Sequence, residues 1–385
     1  MTLNGDLLLK GSLRRFYQLG TIKTIAFIMG IIFLMILVVY NYISITSEHL
    51  NELSEYQVLA PTKSAMIATI PTINYKLDGK EQLEAEFLRR GDHVREKCKE
   101  LGLIRRQYYI PRPNAQEFFI NYDYHIIYCS VFKAASTSWL YNMNLLAGVA
   151  PETLKRILET VSPMTVARRK YARPLPSELL KALTKNLSFL IVRHPFERLI
   201  RTYEDKFILE GDDKFYQEMG EKIIWRTRLQ DDFSLLRDGT INQTYLPPSF
   251  EELVKFTLCE WKDNKLQDEH WKPITKFCTP CHVPFDYIIK FETLEKEEQV
   301  LIERANLQEV LKPRWEDDTS DEKIEVLEQK YFSTLSKQQI LELYKYYKAD
   351  FELFEYSMDK YLAYGQDVPF VSLPCRPLPR LRTRK

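Results

Sequence analysis

Two short segments carry the side chains best suited to bind a phosphorylated ligand. The first offers one cationic, two small and three hydroxyl side chains in succession: Lys133, Ala134, Ala135, Ser136, Thr137 and Ser138. A loop of this composition between a strand and a helix can direct backbone N–H groups at a phosphate, and Lys133 adds a point charge. The loop lacks the glycines and the Gly-Lys-Ser/Thr of a nucleoside triphosphatase, which disfavours ATP hydrolysis with magnesium. The alternative is that Lys133 is a solvated loop residue.

The second segment spans residues 193–207 and directly follows an apolar run at 189–192. An arginine at the carboxyl end of a parallel strand lies where α/β sheets bind their ligands, and the planar fork of Arg193 suits a phosphate. The alternative is that the arginines of this segment pair with its own glutamates and aspartate on a helix surface. The first interpretation predicts a second anion pocket.

Strand-like and helix-like patterns alternate around both segments. Residues 124–131 and 189–192 have the apolar character of buried strands, and an amphipathic helix ends near Gly148. Pro195 lies where a second helix would begin, because its fixed φ and missing N–H cost nothing at that position. The order predicts an α/β fold with a central, mostly parallel sheet flanked by helices.

A long helix is also predicted near the C-terminus. Ser336 and Gln339 have the spacing of a capping box. The apolar and aromatic residues that follow recur on one helical face: Ile340, Leu343, Tyr344, Tyr347, Phe351 and Phe354. We expect this helix to be part of the core, and we expect the proline- and arginine-rich tail at 366–385 to remain flexible.

The N-terminal part contains an uncharged apolar run at 24–45, long enough for a membrane-spanning helix of about 20 residues. Basic residues precede the run and acidic residues follow it, so the positive-inside rule places the N-terminus in the cytosol. The sequence therefore predicts a type II membrane protein with a cytosolic tail at 1–23, a transmembrane anchor at 24–45 and a luminal stem at 46–117. A cleaved signal peptide is the alternative, but no cleavage site follows the run directly.

A luminal location has consequences for asparagine and cysteine residues. Asn186 and Asn242 begin glycosylation sequons, and disulfides among the six cysteines become possible, although spacing does not give their connectivity. Cys278 and Cys281 resemble half of a zinc ribbon, but no second such pair follows. A structural disulfide role is favoured over a zinc site or a thioredoxin-like redox site.

Net charge gives no sign of a nucleic-acid partner, because 54 lysines and arginines nearly balance 53 aspartates and glutamates. A local basic stretch at 168–173 lies between the two anion-binding segments. It could follow an acidic polysaccharide, or it could form an ordinary solvated face.

Together the two segments resemble the donor-binding motifs of the Golgi carbohydrate sulfotransferases. The resemblance is strongest to the group of chondroitin and dermatan 4-O-sulfotransferases, N-acetylgalactosamine 4-O-sulfotransferases and the glucuronyl 3-O-sulfotransferase. The first family motif is matched by Cys129, Val131, Lys133, Ala135, Thr137 and Trp139. The second is matched by Val192, Arg193, Pro195, Phe196, Glu197, Arg198, Leu199, Tyr203, Asp205, Lys206 and Phe207. Shorter matches extend the likeness over about 124–356.

This resemblance implies a P-loop-like sulfotransferase fold over 118–365. It implies that the donor is 3′-phosphoadenylyl sulfate, with its 5′-phosphosulfate held by the loop from Lys133 to Ser138 and its 3′-phosphate held by Arg193 and the residue at position 201. It also implies a location in the Golgi membrane and a glycan or proteoglycan acceptor. Homo-oligomerisation is left open.

Four positions depart from the family pattern. Phe132 replaces a proline, Ser138 an asparagine, His194 an aspartate and Arg201 the serine that helps bind the 3′-phosphate. Arg201 could donate to that phosphate more strongly than a hydroxyl, or its bulk could narrow the pocket. These departures keep open the possibility of an inactive relative that binds glycan or donor without turnover.

The expected chemistry is transfer of a sulfuryl group to a sugar hydroxyl, which requires in-line geometry, charge stabilisation and a base. We assign Lys133 to the leaving 5′-phosphate and His270 to the base, with His125 and His194 as alternatives, and we expect no metal. His270 could instead be a packing histidine. The expected acceptor is the 4-hydroxyl of N-acetylgalactosamine in chondroitin or dermatan, with glucuronyl 3-O-sulfation as the alternative. A luminal kinase-like P-loop protein is a further, weaker alternative.

Overall fold

The computed structural model describes residues 79–104, 112–209, 213–227, 247–311 and 323–368, together with two helical residues, Met35 and Leu37. Within these ranges no helix combines the length and the apolar character needed to cross a bilayer. Apart from those two residues, the predicted anchor at 24–45 lies outside the described residues, as do positions 46–78 of the predicted stem, Asn242 and the tail from 369 onward. Everything described from residue 79 on belongs to one compact unit, Tyr75–Lys385.

In the parts of the chain that the structure describes, four strands form a central sheet in the order β1-β2-β3-β4. The strands are β1 Phe118–Asn121, β2 Ile126–Cys129, β3 Leu187–Val192 and β4 Tyr287–Lys290. β1 is antiparallel to β2, whereas β2, β3 and β4 are parallel, with Tyr128 opposite Phe189 and Leu190 opposite Ile288. The strands are mostly buried, which is typical of a sheet covered on both faces. The predicted mixed α/β fold with a mostly parallel sheet is confirmed.

Helices flank this sheet, and those that the structure describes from residue 79 on are numbered here in chain order. In chain order the first seven are α1 Gly79–Glu100, α2 Ser136–Leu146, α3 Pro151–Leu158, α4 Pro163–Lys170, α5 Pro176–Leu183, α6 Pro195–Tyr203 and α7 Lys214–Thr227. The remaining ones are α8 Phe250–Lys262, α9 Ile274–Phe277, α10 Leu294–Arg304, α11 Ile324–Phe332, α12 Lys337–Leu353 and α13 Asp359–Tyr364. A π-helical turn, Glu204–Leu209, directly continues α6, and a 3₁₀ turn, Phe291–Thr293, directly follows β4.

Local sequence signals account for several helix ends. Helices α3 to α6 each begin with a proline in the first turn, where the missing N–H costs no hydrogen bond. The predicted start at Pro195 is therefore confirmed. Gly148 follows the end of α2 with φ of 84°, the left-handed conformation that glycine adopts most easily. In α12, the Ser336 side chain accepts from the N–H of Gln339 and the Gln339 side chain accepts in return, which confirms the capping box.

Helix α1 lies within the segment that the sequence assigns to the stem, yet it packs on the sheet. Arg90 donates to the carbonyl of Ile288 at 2.8 Å and pairs with Glu297 at 2.8 Å, and the Phe87 ring stacks on Tyr287. These contacts bury a large aromatic side chain and satisfy a buried guanidinium, so residues 79–104 are part of the folded unit rather than an extended spacer.

Two disulfides whose cysteines both lie among the described residues link distant parts of the chain. Cys98 of α1 is bonded to Cys281, and Cys129 at the end of β2 is bonded to Cys278. The two cysteines of the Cys-x-x-Cys pair thus have different partners, which confirms their structural role. In the described part of the chain, no group of His, Cys, Asp and Glu side chains is arranged to hold a metal ion.

Asn186 does not suit the glycosylation expected at its sequon. Its side chain is only 5% exposed, and its amide donates to the carbonyl of Ala182 at 2.7 Å. Ser188, the third residue of the sequon, is fully buried in β3. An oligosaccharide attached here would have to displace packed backbone, so Asn186 is unsuited to glycosylation in this fold.

Candidate active site

The first anion-binding segment forms the turn between β2 and α2. Lys133 and Ala135 have φ values of 63° and 55°, the left-handed region that non-glycine residues enter at a cost of about 1–2 kcal/mol each. Ala135 is the N-cap of α2, and no side chain among the described residues caps that helix. An N-terminus without a side-chain cap leaves backbone N–H groups for an anion or water. The turn has the backbone of a phosphate-binding loop without its glycines.

The hydroxyls of this turn are not equally accessible. Thr137 is exposed, whereas Ser136 and Ser138 are buried together with Ala134. Of the three hydroxyls, Thr137 is therefore the one that an incoming ligand can reach without a rearrangement of the turn.

The Lys133 ammonium forms an ion pair with a carboxylate from the next segment. Lys133 Nζ lies 2.6 Å from Asp205 Oδ2, and Lys206 Nζ lies 3.0 Å from the same oxygen. Burial alone would raise the pKa of Asp205, but the charges and hydrogen bonds of the two lysines outweigh it and lower that pKa. Asp205 belongs to the π-helical turn, an irregularity that is frequent at functional sites.

Arg193 joins the two predicted motifs. Its Nη1 donates to the carbonyl of Lys133 at 3.3 Å, and its Nε lies 3.5 Å from Glu197 Oε2. The guanidinium also lies 4.1 Å from the centre of the Phe291 ring, in the loop after β4. Loops from three neighbouring parallel strands thus meet at their carboxyl ends, where such sheets bind ligands. Arg201 is buried on α6, one turn after Glu197.

Acidic groups surround the start of α6. Burial raises the pKa of Glu197 to about 7, against the opposing charge of Arg193 and with the support of Glu292 and Glu328. Glu292, from the loop after β4, accepts from the His194 N–H at 2.9 Å and from the Tyr356 hydroxyl at 3.0 Å. The turn lies within the range of the family resemblance, about 124–356, but no role was predicted for it from the sequence.

His194 caps α6, and both of its ring nitrogens contact other parts of the fold. Its Nδ1 accepts from the N–H of Phe196 at 3.2 Å, and its Nε2 lies 2.9 Å from the carbonyl of Ser357. Burial lowers the pKa of His194 to about 4, so the ring is neutral near pH 7. A neutral ring can accept at Nδ1 and donate at Nε2, which meets both contacts. His194 thus serves as an N-cap, a role that aspartate also fills.

Neither alternative base is suitably placed. His194 is 6% exposed and both of its ring nitrogens are engaged. His125 precedes β2, at the opposite end of the strand from Lys133, and its Nδ1 lies 3.3 Å from Asn186 Oδ1. Neither residue is therefore a candidate for the general base.

His270 lies beside the first loop. Its ring centre is 4.3 Å from that of Phe132, the residue before Lys133. Its Nδ1 is 2.8 Å from Asp268 Oδ1 and 2.9 Å from the Tyr216 hydroxyl. Its carbonyl accepts from Arg198 at 2.9 Å, which fixes the backbone of this segment against α6.

Asp268 was not predicted from the sequence as a site residue. Burial would raise its pKa, but the hydrogen bonds and charge of His270 outweigh burial and lower it, so Asp268 is a carboxylate. A carboxylate that accepts from Nδ1–H holds the ring in the tautomer whose Nε2 can take a proton. The only sequence signal was its position two residues before His270.

Two arginines of the basic stretch at 168–173 donate hydrogen bonds to backbone carbonyls of the fold. Arg168 donates to the carbonyls of Phe118 and Gln116, both at 2.9 Å, and its guanidinium lies 3.6 Å from the Phe119 ring centre. Burial, helped by Arg173, lowers the pKa of Arg168 to about 10. Arg173 also donates to Gln116. Arg169 and Lys170 are exposed and are the members of the stretch best placed to meet a polyanion.

Comparison with known proteins gives a consistent result. Residues 116–357 match the family described as the sulfotransferase family. Carbohydrate sulfotransferase 11 of Mus musculus is 30% identical over 282 residues, which are 71% of this chain and 76% of that protein. Carbohydrate sulfotransferase 12 of Xenopus laevis is 30% identical over 64% of this chain and 61% of its own length, and carbohydrate sulfotransferase 8 of Mus musculus is 28% identical over 69% and 62%. No solved structure is significantly similar.

Proposed function

The chain belongs to the sulfotransferase family, among the carbohydrate sulfotransferases, and from this membership we propose that it sulfates the 4-hydroxyl of N-acetylgalactosamine in chondroitin or dermatan. The family implies 3′-phosphoadenylyl sulfate as the donor. A glucuronyl 3-hydroxyl is the alternative acceptor, since donor motifs do not determine the sugar. The predicted N-terminal anchor supports a membrane location with a luminal active site, and the resemblance to the Golgi carbohydrate sulfotransferases supports the Golgi as the compartment.

The observation that carries the proposal is the hydrogen bond from Arg193 to the carbonyl of Lys133. It brings an arginine and a lysine from loops 60 residues apart to one edge of the sheet. A donor with phosphates at both its 3′ and 5′ positions requires two such cationic sites. We assign the 5′-phosphosulfate to Lys133, Thr137 and the N-terminus of α2, and the 3′-phosphate to Arg193 and Arg201.

The transfer step follows from these assignments. The sugar hydroxyl oxygen attacks sulfur and forms a new O–S bond while the bond between sulfur and the bridging phosphate oxygen breaks. His270 Nε2 takes the hydroxyl proton, with Asp268 stabilising the imidazolium that forms. The Lys133 ammonium stabilises the negative charge that develops on the leaving phosphate. Loops that hold donor and base in place supply the orientation on which such transfers depend.

His194 and Arg201, which differ from the family pattern, are the residues on which the alternative of an inactive relative depends. Because His194 maintains the cap of α6, the change from aspartate leaves the start of this helix intact. That supports an active enzyme. Arg201 is the remaining departure that favours a binding protein without turnover.

The test is transfer of labelled sulfate from 3′-phosphoadenylyl sulfate by the full chain in detergent. Desulfated chondroitin, dermatan and glycans ending in N-acetylgalactosamine serve as acceptors. We expect one chondroitin-type acceptor to be labelled at the 4-hydroxyl, Lys133→Ala to abolish labelling and the exposed-loop variant Lys185→Ala to retain it. Donor binding without labelling of any acceptor would favour the inactive relative, and labelling of glucuronic acid would favour the alternative acceptor.

A further inference from the structure

One carboxylate, that of Asp205, contacts both Lys133 of the first loop and Lys206. Asp205 Oδ2 is 2.6 Å from Lys133 Nζ and 3.0 Å from Lys206 Nζ. The side chains of Lys133, Asp205 and Lys206 are 21%, 12% and 15% exposed. Charges this far from bulk water interact more strongly than exposed pairs, so the contact holds Lys133 in a defined position.

The same ammonium is the one that the proposed function assigns to the 5′-phosphosulfate. An anionic phosphate oxygen and the Asp205 carboxylate are equivalent partners for Lys133, because each accepts a charge-assisted hydrogen bond. A donor that binds beside Lys133 must therefore either displace Asp205 from the ammonium or share it. In both cases the negative charge of Asp205 repels the incoming nucleotide.

We propose that Asp205 is a positioning residue that holds Lys133 in the donor-free enzyme and competes with the bound nucleotide for the lysine ammonium. This inference rests on the proposed function, because it takes Lys133 as the donor-binding lysine. It predicts that the Asp205 carboxylate lowers the affinity for the nucleotide and favours release of the desulfated product from Lys133. In exchange, the lysine is already close to its working position when the donor arrives.

Asp205 is not the sole support of the turn that carries it. Glu204, its neighbour, accepts from the buried Tyr331 hydroxyl and lies 3.6 Å from Lys330. Phe207 packs in the apolar core. Replacement of Asp205 by a neutral side chain of similar size should therefore leave the turn in place, and a purely structural role would not alter nucleotide affinity through Lys133.

The experiment is titration calorimetry of the full chain in detergent with adenosine 3′,5′-bisphosphate, the desulfated donor. The variants are Asp205→Asn, Lys133→Ala, the double variant and the control Asp213→Asn, which removes a negative charge from an exposed site eight residues further along the chain. We expect Asp205→Asn to lower Kd roughly tenfold, equivalent to about 1.4 kcal/mol. We expect Asp213→Asn to change Kd less than about twofold, and the gain from Asp205→Asn to vanish in the Lys133→Ala background.

The outcomes separate the inference from the function on which it rests. If the unmodified chain does not bind the bisphosphate, the proposed donor site and this inference both fail. If the chain binds it but Asp205→Asn binds no tighter, or gains equally with and without Lys133, the inference alone fails. Should Asp205→Asn not fold, Asp205→Ser removes the same charge and is held to the same outcomes. In transfer assays the KM for donor should fall in Asp205→Asn without a rise in kcat.

Discussion

At the scale of single residues, the pair of His270 and Asp268 carries the proton transfer that we propose. Asp268→Asn retains a hydrogen-bonding side chain but removes the charge that stabilises the imidazolium. We expect kcat to fall by roughly 10²-fold and the acid limb of the pH–rate profile to move to lower pH. His270→Asn should reduce kcat at least as much. The measurement is initial transfer rate against pH at saturating donor.

His93→Gln is the matched control, because His93 lies on α1 and contacts the carbonyl of Glu352 rather than the donor loops. It should leave both kcat and the profile unchanged. Retention of full turnover by His270→Asn would show that His270 is a packing histidine and that the base must be sought elsewhere.

The compact ammonium of Lys133 can be tested by replacement with another cationic side chain. Lys133→Arg keeps the positive charge, but a planar guanidinium cannot follow the bridging oxygen as a compact ammonium does. We expect kcat to fall by roughly 10²-fold or more while the donor KM changes less than about tenfold. Steady-state kinetics over a range of donor concentrations measures both, and recovery of normal kcat by arginine would count against the proposed role of the ammonium.

At the scale of elements, the His194 cap should make stability depend on pH. Its pKa is about 4 in the folded chain and about 6.5 when unfolded, so the unfolded chain takes up the proton first. The contribution of His194 is therefore complete above pH 6.5 and is lost as pH falls toward 4, by roughly 3 kcal/mol in total. Glu197, with a pKa raised to about 7, acts in the opposite direction and loses its contribution as pH rises from about 4.5 to 7.

The difference in pH-dependent stability between the natural chain and His194→Asn isolates the contribution of the histidine, because asparagine can cap the helix but does not titrate. Urea unfolding at pH 7.5 and pH 5 provides the comparison. We expect the natural chain to lose more stability than His194→Asn over this interval. Parallel losses in the two proteins would mean that His194 takes up its proton without disturbing the cap.

The capping box of α12 offers a test that does not involve the active site. Ser336→Ala removes the acceptor of the Gln339 N–H, and we expect the free energy of unfolding to fall by about 1 kcal/mol. Ser333→Ala is the matched control, since its hydroxyl donates only to the carbonyl of Lys330, and it should cost less than about 0.5 kcal/mol. Thermal unfolding measures both, and equal losses would contradict the cap as the source.

At the scale of the whole molecule, the disulfides Cys98–Cys281 and Cys129–Cys278 should differ in their effect on function. They join residues 183 and 149 positions apart. Each lowers the conformational entropy of the unfolded chain and thereby stabilises the folded state by on the order of 4–5 kcal/mol. Cys129 ends β2 immediately before the loop of Lys133, whereas Cys98 lies on α1. We expect replacement of either pair by alanine to lower the unfolding temperature, but only loss of Cys129–Cys278 to weaken binding of adenosine 3′,5′-bisphosphate.

Unfolding temperature and nucleotide affinity are measured on two double variants, one with alanine at both Cys98 and Cys281 and one with alanine at both Cys129 and Cys278. If loss of Cys98–Cys281 weakens nucleotide binding as much as loss of Cys129–Cys278, then the donor loop depends on the stability of the whole unit rather than on its own disulfide.

Much of the fold follows from the sequence by itself, because its signals are local. Apolar runs predict β2 and β3, prolines mark helix starts, and Ser336 with Gln339 forms a capping box four residues long. The motifs around Lys133 and Arg193 indicated the family, and the donor site that they predict remains a proposal. Each of these features depends on neighbours within a few positions of the chain.

Only the tertiary structure decided which distant groups meet. The contacts of Lys133 with Asp205, the pairing of Cys98 with Cys281 and the placement of α1 on the sheet join residues that are 72 to 198 positions apart. The sequon at Asn186 likewise proved to be buried in packed backbone. Such contacts depend on how the elements pack, and no local periodicity or motif encodes that packing.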